Sequence, residues 1–186
     1  MNSNIQNPHS TPTLDASVAH DPALSLFQKV LLTTDGTVTQ LIELYSGEPI
    51  TVQKLNNEVI PSKTIANESQ SLLQVNADTP LLQRMILLCG ASKSYLYAES
   101  LFVLQRLPAA MRLKLESTNI PIGLLWREAR LETHREIIAY QRETNVDVAR
   151  HLGLAANTEL LSRTYLLYNN GMPLGLITEK FPAIYF

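Results

Sequence analysis

Strand-like and helix-like patterns of apolar residues alternate along the chain. Two runs near the middle, "PLLQRMILLCG" and "SYLYAESLFVL", are strand-like and are joined by the short segment "GASK". Near the end, "ELLSRTYLLY" and "MPLGLITEKF" flank the turn "NNG". An Asn-Gly turn between two apolar runs is a strong signal for a hairpin. Shorter strand patterns lie in "PITVQKL" and "EIIAYQ", so the sequence predicts an antiparallel sheet.

Segments with helical spacing of apolar residues connect these strands. "DPALSLFQKVLLTT" predicts a helix with Asp21 as its N-cap and Pro22 at its first position. "TVTQLIELYS" predicts a second helix that ends at Gly47. Three more helices are predicted in "PAAMRLKLES", "NIPIGLLWREARL" and "NVDVARHLGL". Strands joined by hairpins and interleaved with short helices predict an α+β fold, a single antiparallel sheet with flanking helices.

Two regions differ in composition. Residues 1–20 are rich in Asn, Ser, Thr, Pro and His, and we expect them to form a disordered polar tail. Residues 21–186 carry all the periodic patterns, and they are enough for one domain with a substantial core. We therefore predict a single folded domain over residues 21–186.

The overall composition is that of an ordinary globular protein. The net charge of −2 gives no basic excess of the kind that nucleic-acid binding requires. No apolar run approaches the ~18 residues of a membrane span, and the N-terminus lacks the pattern of a signal peptide. The lone Cys89 excludes an internal disulfide. We expect a monomer in the cytosol.

Common signatures of catalysis are missing from the sequence. It contains no Gly-rich phosphate loop, no paired cysteines and no nucleophile elbow. Its four histidines are scattered, so the sequence gives no support for a metal site.

Two charged residues stand out because they lie within apolar strand patterns. Arg84 has the same strand parity as Ile86, and its other neighbours are also mostly apolar, so it is expected to be buried. A buried arginine requires an anion, because removing its charge from water costs several kcal/mol. Glu179 has the parity of Phe181, whereas Lys180 is predicted to face solvent.

The buried charges allow a structural and a functional interpretation. In the structural one, Arg84 forms an internal ion pair with Glu179 or with Glu99 on the next strand. In the functional one, a closed pocket places Arg84 against the carboxylate of a ligand and Glu179 acts as a proton donor.

The segment "NIPIGLLW" adds a third candidate element of a pocket. Pro121 can occupy the first position of a helix, which leaves the backbone amides of Ile122 and Gly123 available to an anion. Gly123 also lacks the side chain that would keep a ligand from the backbone.

Taken in order, "LLTTDGTVTQLIE", "RMILLCG", "LYAES", "LP", "IPIGLLWRE" and "PLGLITEKFP" resemble the chorismate pyruvate-lyases. More narrowly, they are similar to the cyanobacterial and actinobacterial branch, which makes 4-hydroxybenzoate. The resemblance extends from Ser25 to Phe186. It implies an antiparallel α+β fold with a ligand buried beneath flap-like helices, no metal and no organic cofactor.

The resemblance also implies roles for individual residues. By motif, Arg84 matches the arginine that holds the benzoate carboxylate, and Ile122, beside Gly123, matches the position whose backbone amide binds the same carboxylate. Glu179 matches the acid near the other end of the ring. It would protonate the departing enolpyruvyl group or orient the ring hydroxyl. A further contact falls at Val38 or at the preceding residue, Thr37.

The implied substrate is chorismate and the implied products are 4-hydroxybenzoate and pyruvate. Chorismate has a second carboxylate, which needs another cation, and Arg130, Arg135 and Arg163 are the candidates. A dry cavity that fits the flat product well is expected to release it slowly.

A non-catalytic function is the main alternative. The C-terminal pattern from "VARHLGL" to "LITEKFP" also resembles the ligand-sensing domains of GntR-type transcription regulators. Such domains usually follow a DNA-binding winged helix, and the first 20 residues here are too few for one. An isolated binding module for an aromatic carboxylate, or a structural protein with an internal ion pair, remain as alternatives.

Overall fold

A computed structural model describes residues 14–117 and 122–186. Six strands form one antiparallel sheet in the order β1-β2-β3-β6-β5-β4. The predicted α+β fold with an antiparallel sheet is therefore confirmed. The strands are β1 (Thr51–Pro61), β2 (Pro80–Cys89), β3 (Ser94–Val103), β4 (His134–Thr144), β5 (Glu159–Asn169) and β6 (Met172–Pro182).

Seven α-helices lie in the described part of the chain, together with three short 3-10 turns. All five helices predicted from the sequence are present. The helices are α1 (Leu14–Ala19), α2 (Leu26–Thr33), α3 (Val38–Ser46), α4 (Asn67–Leu73), α5 (Ala109–Ser117), α6 (Ile122–Glu128) and α7 (Val146–His151).

The sheet has two covered faces. We call the face that carries Arg84 and Glu179 the front face; α1, α2, α3, α5 and α6 pack on it in two separate apolar clusters. Helix α4 packs on the back face through Leu73, and α7 packs there through Val148 and Leu152. The front face therefore has a seam between its two clusters, and the candidate site lies at this seam.

The N-terminal region differs from its prediction in two respects. Helix α1 lies within the segment expected to be disordered, and its Val18 is buried in the front cluster. Helix α2 begins after Ser25 rather than after Asp21. The hydroxyl of Ser25 accepts from the Gln28 amide while the Gln28 side chain accepts from the Ser25 amide, and this capping box satisfies two helix-terminal donors.

The last two strands form the predicted hairpin. Asn170 and Gly171 both have positive φ, of 49° and 74°, as a two-residue turn that matches the twist of its strands requires. The pairing shifts register where Leu167 faces Gly175, so a bulge accompanies this glycine. A Cβ on Gly175 would lie 2.5 Å from the Phe102 ring, so only glycine fits there.

The prediction that Lys180 faces solvent was wrong. Lys180 is only 9% exposed and forms an ion pair of 3.0 Å with Glu143. The reason is that the back face is also covered, by α4 and α7, so strand parity separates two buried faces here rather than a buried face from a solvated one.

Candidate active site

A partly enclosed cavity lies at the front seam. Arg84 and Glu179 contribute charged groups to it, while Ile86, Phe102 and Ile177 contribute apolar surface from both clusters. Its volume of about 60 Å³ is several times the ~10–15 Å³ that a single water molecule requires. The cavity is therefore larger than a water site, and its lining combines charged groups with apolar surface.

Strand β2 positions Arg84 on the floor of the cavity. Arg84 is 2% exposed, and its burial lowers the pKa of its guanidinium to about 10. It pairs across the sheet with Ser100, whereas Glu99 pairs with Met85 and belongs to the back face. The suggestion that Arg84 forms an ion pair with Glu99 is therefore wrong, because the two side chains point to opposite faces of the sheet.

A second cation strengthens the positive charge at this end. Lys54 pairs with Ile86 across β1 and β2, so it shares the front face with Arg84. Burial lowers the pKa of the Lys54 ammonium, and the charge of Arg84 lowers it further. Two cations on adjacent strands repel each other, and a bound anion at this end would relieve that repulsion.

Strand β6 positions Glu179, which is 9% exposed, as strand parity predicted. Its carboxylate accepts a hydrogen bond of 2.7 Å from Nε of Arg163, whose side chain is 1% exposed. It accepts a second, of 3.3 Å, from the hydroxyl of Tyr165. The internal ion pair of Glu179 is therefore with Arg163, and the suggested pair with Arg84 is wrong.

Arg163 connects Glu179 to the helices that cover the cavity. Its Nη1 donates to the carbonyl oxygens of Thr34 at 2.7 Å and of Leu32 at 3.4 Å, both at the end of α2. Burial acts to lower the pKa of Arg163, but the charge of Glu179 opposes it and the pKa is raised overall. Arg163 is thus held as a cation that fixes both the carboxylate and the segment after α2.

Tyr165 completes this cluster and was missed by the sequence analysis. Burial raises the pKa of its hydroxyl, and the charge of Glu179 raises it further, so the group stays a hydrogen-bond donor. The sequence contains a signal for this cluster. Leu161, Arg163 and Tyr165 occupy every second position of β5, so their side chains share one face of the strand. Cross-strand pairing then places Arg163 directly opposite Glu179.

Residues at and just before the start of α3 line the cavity. Both Thr37 and Val38 line the cavity, with Gly36 and Thr39. The two residues suggested for the further ligand contact therefore both lie at the site. Gly123 of α6 also lines the cavity. A Cβ there would lie 3.2 Å from Cγ2 of Thr37, so glycine allows α6 to approach α3 closely. Helix α6 begins at Ile122, and Pro121 lies outside the described residues.

The three candidate arginines for a second carboxylate occupy different places. Arg163 forms an ion pair with Glu179. Arg130 is exposed in the turn after α6. Arg135, on β4, lines the cavity, donates from Nη1 to the Gly36 carbonyl at 3.0 Å, and has its guanidinium carbon 5.7 Å from the centre of the Tyr165 ring.

The charges of the cavity therefore have a definite order across the sheet. Arg84 comes from β2, Glu179 from β6 and Arg135 from β4, and β6 lies between the other two strands.

The described residues include no group of three His, Cys, Asp or Glu side chains that could hold a metal ion. In the part of the chain that is described, no helix has the length and apolar character needed to cross a membrane.

Comparison of the sequence with protein families identifies the chain's relatives. The family model described as "Chorismate pyruvate-lyase Rv2949c-like" matches residues 32–185. The chain belongs to this family. A chorismate pyruvate-lyase from Mycobacterium tuberculosis is 28% identical over 156 residues, which cover 82% of this chain and 78% of that protein. The family resemblance predicted from the sequence is confirmed.

Solved structures with the same fold include regulatory domains. The effector domain of PhnF from Mycobacterium smegmatis matches with a TM-score of 0.61 and 15% identity, covering 79% of this chain and 88% of that domain. A GntR-family transcriptional regulator from Bacillus cereus matches with a TM-score of 0.58 and 9% identity, covering 74% and 94%. At these identities the likeness concerns the fold alone.

Proposed function

We propose that this protein is a chorismate pyruvate-lyase that converts chorismate to 4-hydroxybenzoate and pyruvate. One observation carries the proposal: in a chain of this family, Arg84 and Glu179 line the same partly enclosed cavity from different strands. A guanidinium at one end and a carboxylate further along suit a ring with a carboxylate at one end and a hydroxyl at the other.

Arg84 binds the ring carboxylate in this account. The carboxylate of chorismate is common to substrate and product, so Arg84 holds the ring throughout the reaction. The backbone amides of Ile122 and Gly123, at the start of α6, add donors for the same carboxylate. Val38 and Thr37 close over the ring from the start of α3. The enzyme then supplies mainly placement and electrostatic stabilisation.

Glu179 orients the ring hydroxyl. Its bonds from Arg163 and Tyr165 suit an ionised carboxylate, which is an acceptor and not a proton donor. This supports the second of the two roles inferred from the resemblance. The ether bond between the ring and the enolpyruvyl oxygen breaks, and the hydrogen on the hydroxyl-bearing ring carbon moves to the enolpyruvyl methylene carbon. The ring becomes aromatic and the three-carbon unit leaves as pyruvate, so that atoms balance without a cofactor.

The direct test is to incubate the purified protein with chorismate and to quantify 4-hydroxybenzoate and pyruvate. We expect the two products in equal amounts. Failure of a folded protein to form either product would contradict the proposal. A Gln83→Met variant is a suitable control, because Gln83 is on β2 beside Arg84 but faces the back of the sheet.

A binding module without catalysis is the second candidate, and the fold shared with regulatory domains favours it. It predicts that 4-hydroxybenzoate binds in the cavity, and that chorismate also binds there but is not cleaved. Calorimetric titration with both compounds, followed by chromatography of the recovered ligand, separates this candidate from the lyase.

A further inference from the structure

The cavity has a second cationic group that the ring carboxylate does not use. Arg135 lies on β4 and Arg84 lies on β2, four strand spacings apart in the sheet order. At ~4.8 Å for each spacing, their backbones are about 19 Å apart. Both side chains enter the same cavity from opposite sides, so a single ring carboxylate held by Arg84 does not also occupy Arg135.

The guanidinium of Arg135 is held in place but has donors left over. Its Nη1 donates to the Gly36 carbonyl, and its guanidinium lies over the Tyr165 ring. Its Nε is buried and has no hydrogen-bond partner among residues 14–117 and 122–186. A guanidinium has five N–H donors in a planar fork that matches a carboxylate. A buried donor without a partner costs free energy, which an anionic ligand would recover.

Glu179, the carboxylate that lines the cavity, does not neutralise Arg135. Glu179 is already bound to Arg163 and to the hydroxyl of Tyr165. Both guanidiniums lie near the Tyr165 ring, with the guanidinium carbon of Arg163 5.3 Å and that of Arg135 5.7 Å from the ring centre. One arginine is thus neutralised by a protein carboxylate, and the other faces the ligand space.

We infer that Arg135 forms a second anion subsite, which binds a carboxylate attached through an ether to a ring whose own carboxylate is bound by Arg84. The inference rests on the proposed function for its placement of the ring. The cavity accordingly selects a dicarboxylate. When the ether bond breaks, the second carboxylate leaves with the three-carbon product, and the aromatic product keeps only its contacts near Arg84.

The subsite can be tested with two stable compounds, so that turnover is not required. The compound 3-(carboxymethoxy)benzoate has a ring carboxylate and an ether-linked carboxylate, and 3-methoxybenzoate lacks only the second carboxylate. We expect the wild-type chain to bind the dicarboxylate about 10- to 100-fold more tightly, in the range of a charged hydrogen-bonded pair. Arg135→Gln should abolish this preference and leave the affinity for 3-methoxybenzoate within about 2-fold.

Two further variants make the test specific. Arg130→Gln removes an exposed arginine and should keep the wild-type preference. Arg135→Lys keeps the charge but not the fork, and it should show an intermediate preference. If Arg135→Gln fails to fold, as judged by circular dichroism, Arg135→Lys carries the test alone, and an undiminished preference in it would overturn the subsite.

The outcomes separate this inference from the proposed function. Equal loss of affinity for both compounds in Arg135→Gln would mean that Arg135 serves the ring carboxylate or the fold, and would overturn the subsite. An unchanged preference would overturn it as well. A wild-type chain that prefers the dicarboxylate through Arg135 but does not cleave chorismate would support the subsite and refute the lyase.

Discussion

Arg163 on β5 and Glu179 on β6 form a directly paired, buried ion pair, with Nε and Oε2 2.7 Å apart. The same arginine donates to the carbonyl oxygens at the end of α2, so the carboxylate and the helical cover of the cavity share one support. This pair explains how a carboxylate is kept in an apolar seam: its charge is compensated within the protein, and its orientation is fixed before a ligand arrives.

Replacing Glu179 by Gln should lower turnover more than product affinity. Glutamine keeps the shape but loses the charge that faces the ring hydroxyl in the proposed function, and it leaves the Arg163 cation poorly compensated. We expect kcat to fall by about 100-fold or more, a typical effect of removing a preorganised catalytic group, with a change below about 5-fold in the Kd of 4-hydroxybenzoate. Steady-state kinetics and calorimetry measure the two quantities, and an unchanged kcat would exclude the assigned role.

The Arg163–Glu179 pair can be separated into its structural and catalytic contributions. Arg163→Met alone leaves Glu179 as a buried, uncompensated charge and should reduce the free energy of unfolding by about 3–5 kcal/mol. The double variant Arg163→Met, Glu179→Leu replaces the whole pair with apolar groups and should recover most of this loss without recovering activity. Urea unfolding and the lyase assay provide the comparison. An active double variant would show that the pair serves only the fold.

Replacing Arg84 by Met should stabilise the protein while preventing ligand binding. Burial lowers the pKa of Arg84 to about 10, well below the usual range of an arginine, so the folded state binds this proton less tightly than the unfolded state. The resulting cost in stability is fully present below about pH 10 and declines as the pH rises through the pKa of the folded state. At pH 7 we expect the variant to gain about 1–3 kcal/mol in free energy of unfolding.

The same variant should bind 4-hydroxybenzoate about 10- to 100-fold more weakly, because a charged hydrogen bond contributes ~1.5–3 kcal/mol. Gln83→Met, on the back face, is the matched control for both measurements. Wild-type affinity in Arg84→Met would place the ring carboxylate elsewhere.

Adding a methyl group at Gly123 should disturb the cavity more than the fold. The new Cβ would lie 3.2 Å from Cγ2 and 3.3 Å from Oγ1 of Thr37, so the Thr37 side chain or the start of α6 must shift by a few tenths of an ångström. For Gly123→Ala we expect a change of no more than ~1 kcal/mol in stability but at least about a 10-fold loss in kcat/KM. Combining it with Thr37→Ser, which removes Cγ2, should restore part of the activity relative to Thr37→Ser alone. Absence of any rescue would indicate that the contact with Thr37 is not the cause.

Strand parity accounts for most of what the sequence could predict about the site. It placed Arg84 and Glu179 inward, because each lies on a strand whose alternate residues are apolar. It could not identify Arg163 as the partner of Glu179. That pairing depends on the register of β5 against β6, which the bulge near Gly175 shifts. Parity failed for Lys180, because whether a sheet face is solvated depends on helices such as α7 that pack from distant positions.

Local helix signals were informative but not decisive at the N-terminus. Asp21 and Pro22 have the features of a helix start, yet Ser25 is the cap because Gln28 can bond back to it and also donates to the carbonyl oxygens of Ala183 and Phe186. These bonds join positions more than 150 residues apart in the chain. A tertiary contact of this kind selects between neighbouring caps that local sequence leaves nearly equivalent.

A single-turnover experiment decides whether the cavity that holds Arg84 and Glu179 cleaves chorismate. With the protein in excess over chorismate, slow release of a tightly bound product cannot conceal the reaction. We expect one 4-hydroxybenzoate and one pyruvate for each chorismate in wild type and in Gln83→Met, and none in Arg84→Met. Recovery of intact chorismate from the folded wild-type protein, or equal product formation by Arg84→Met, would contradict it.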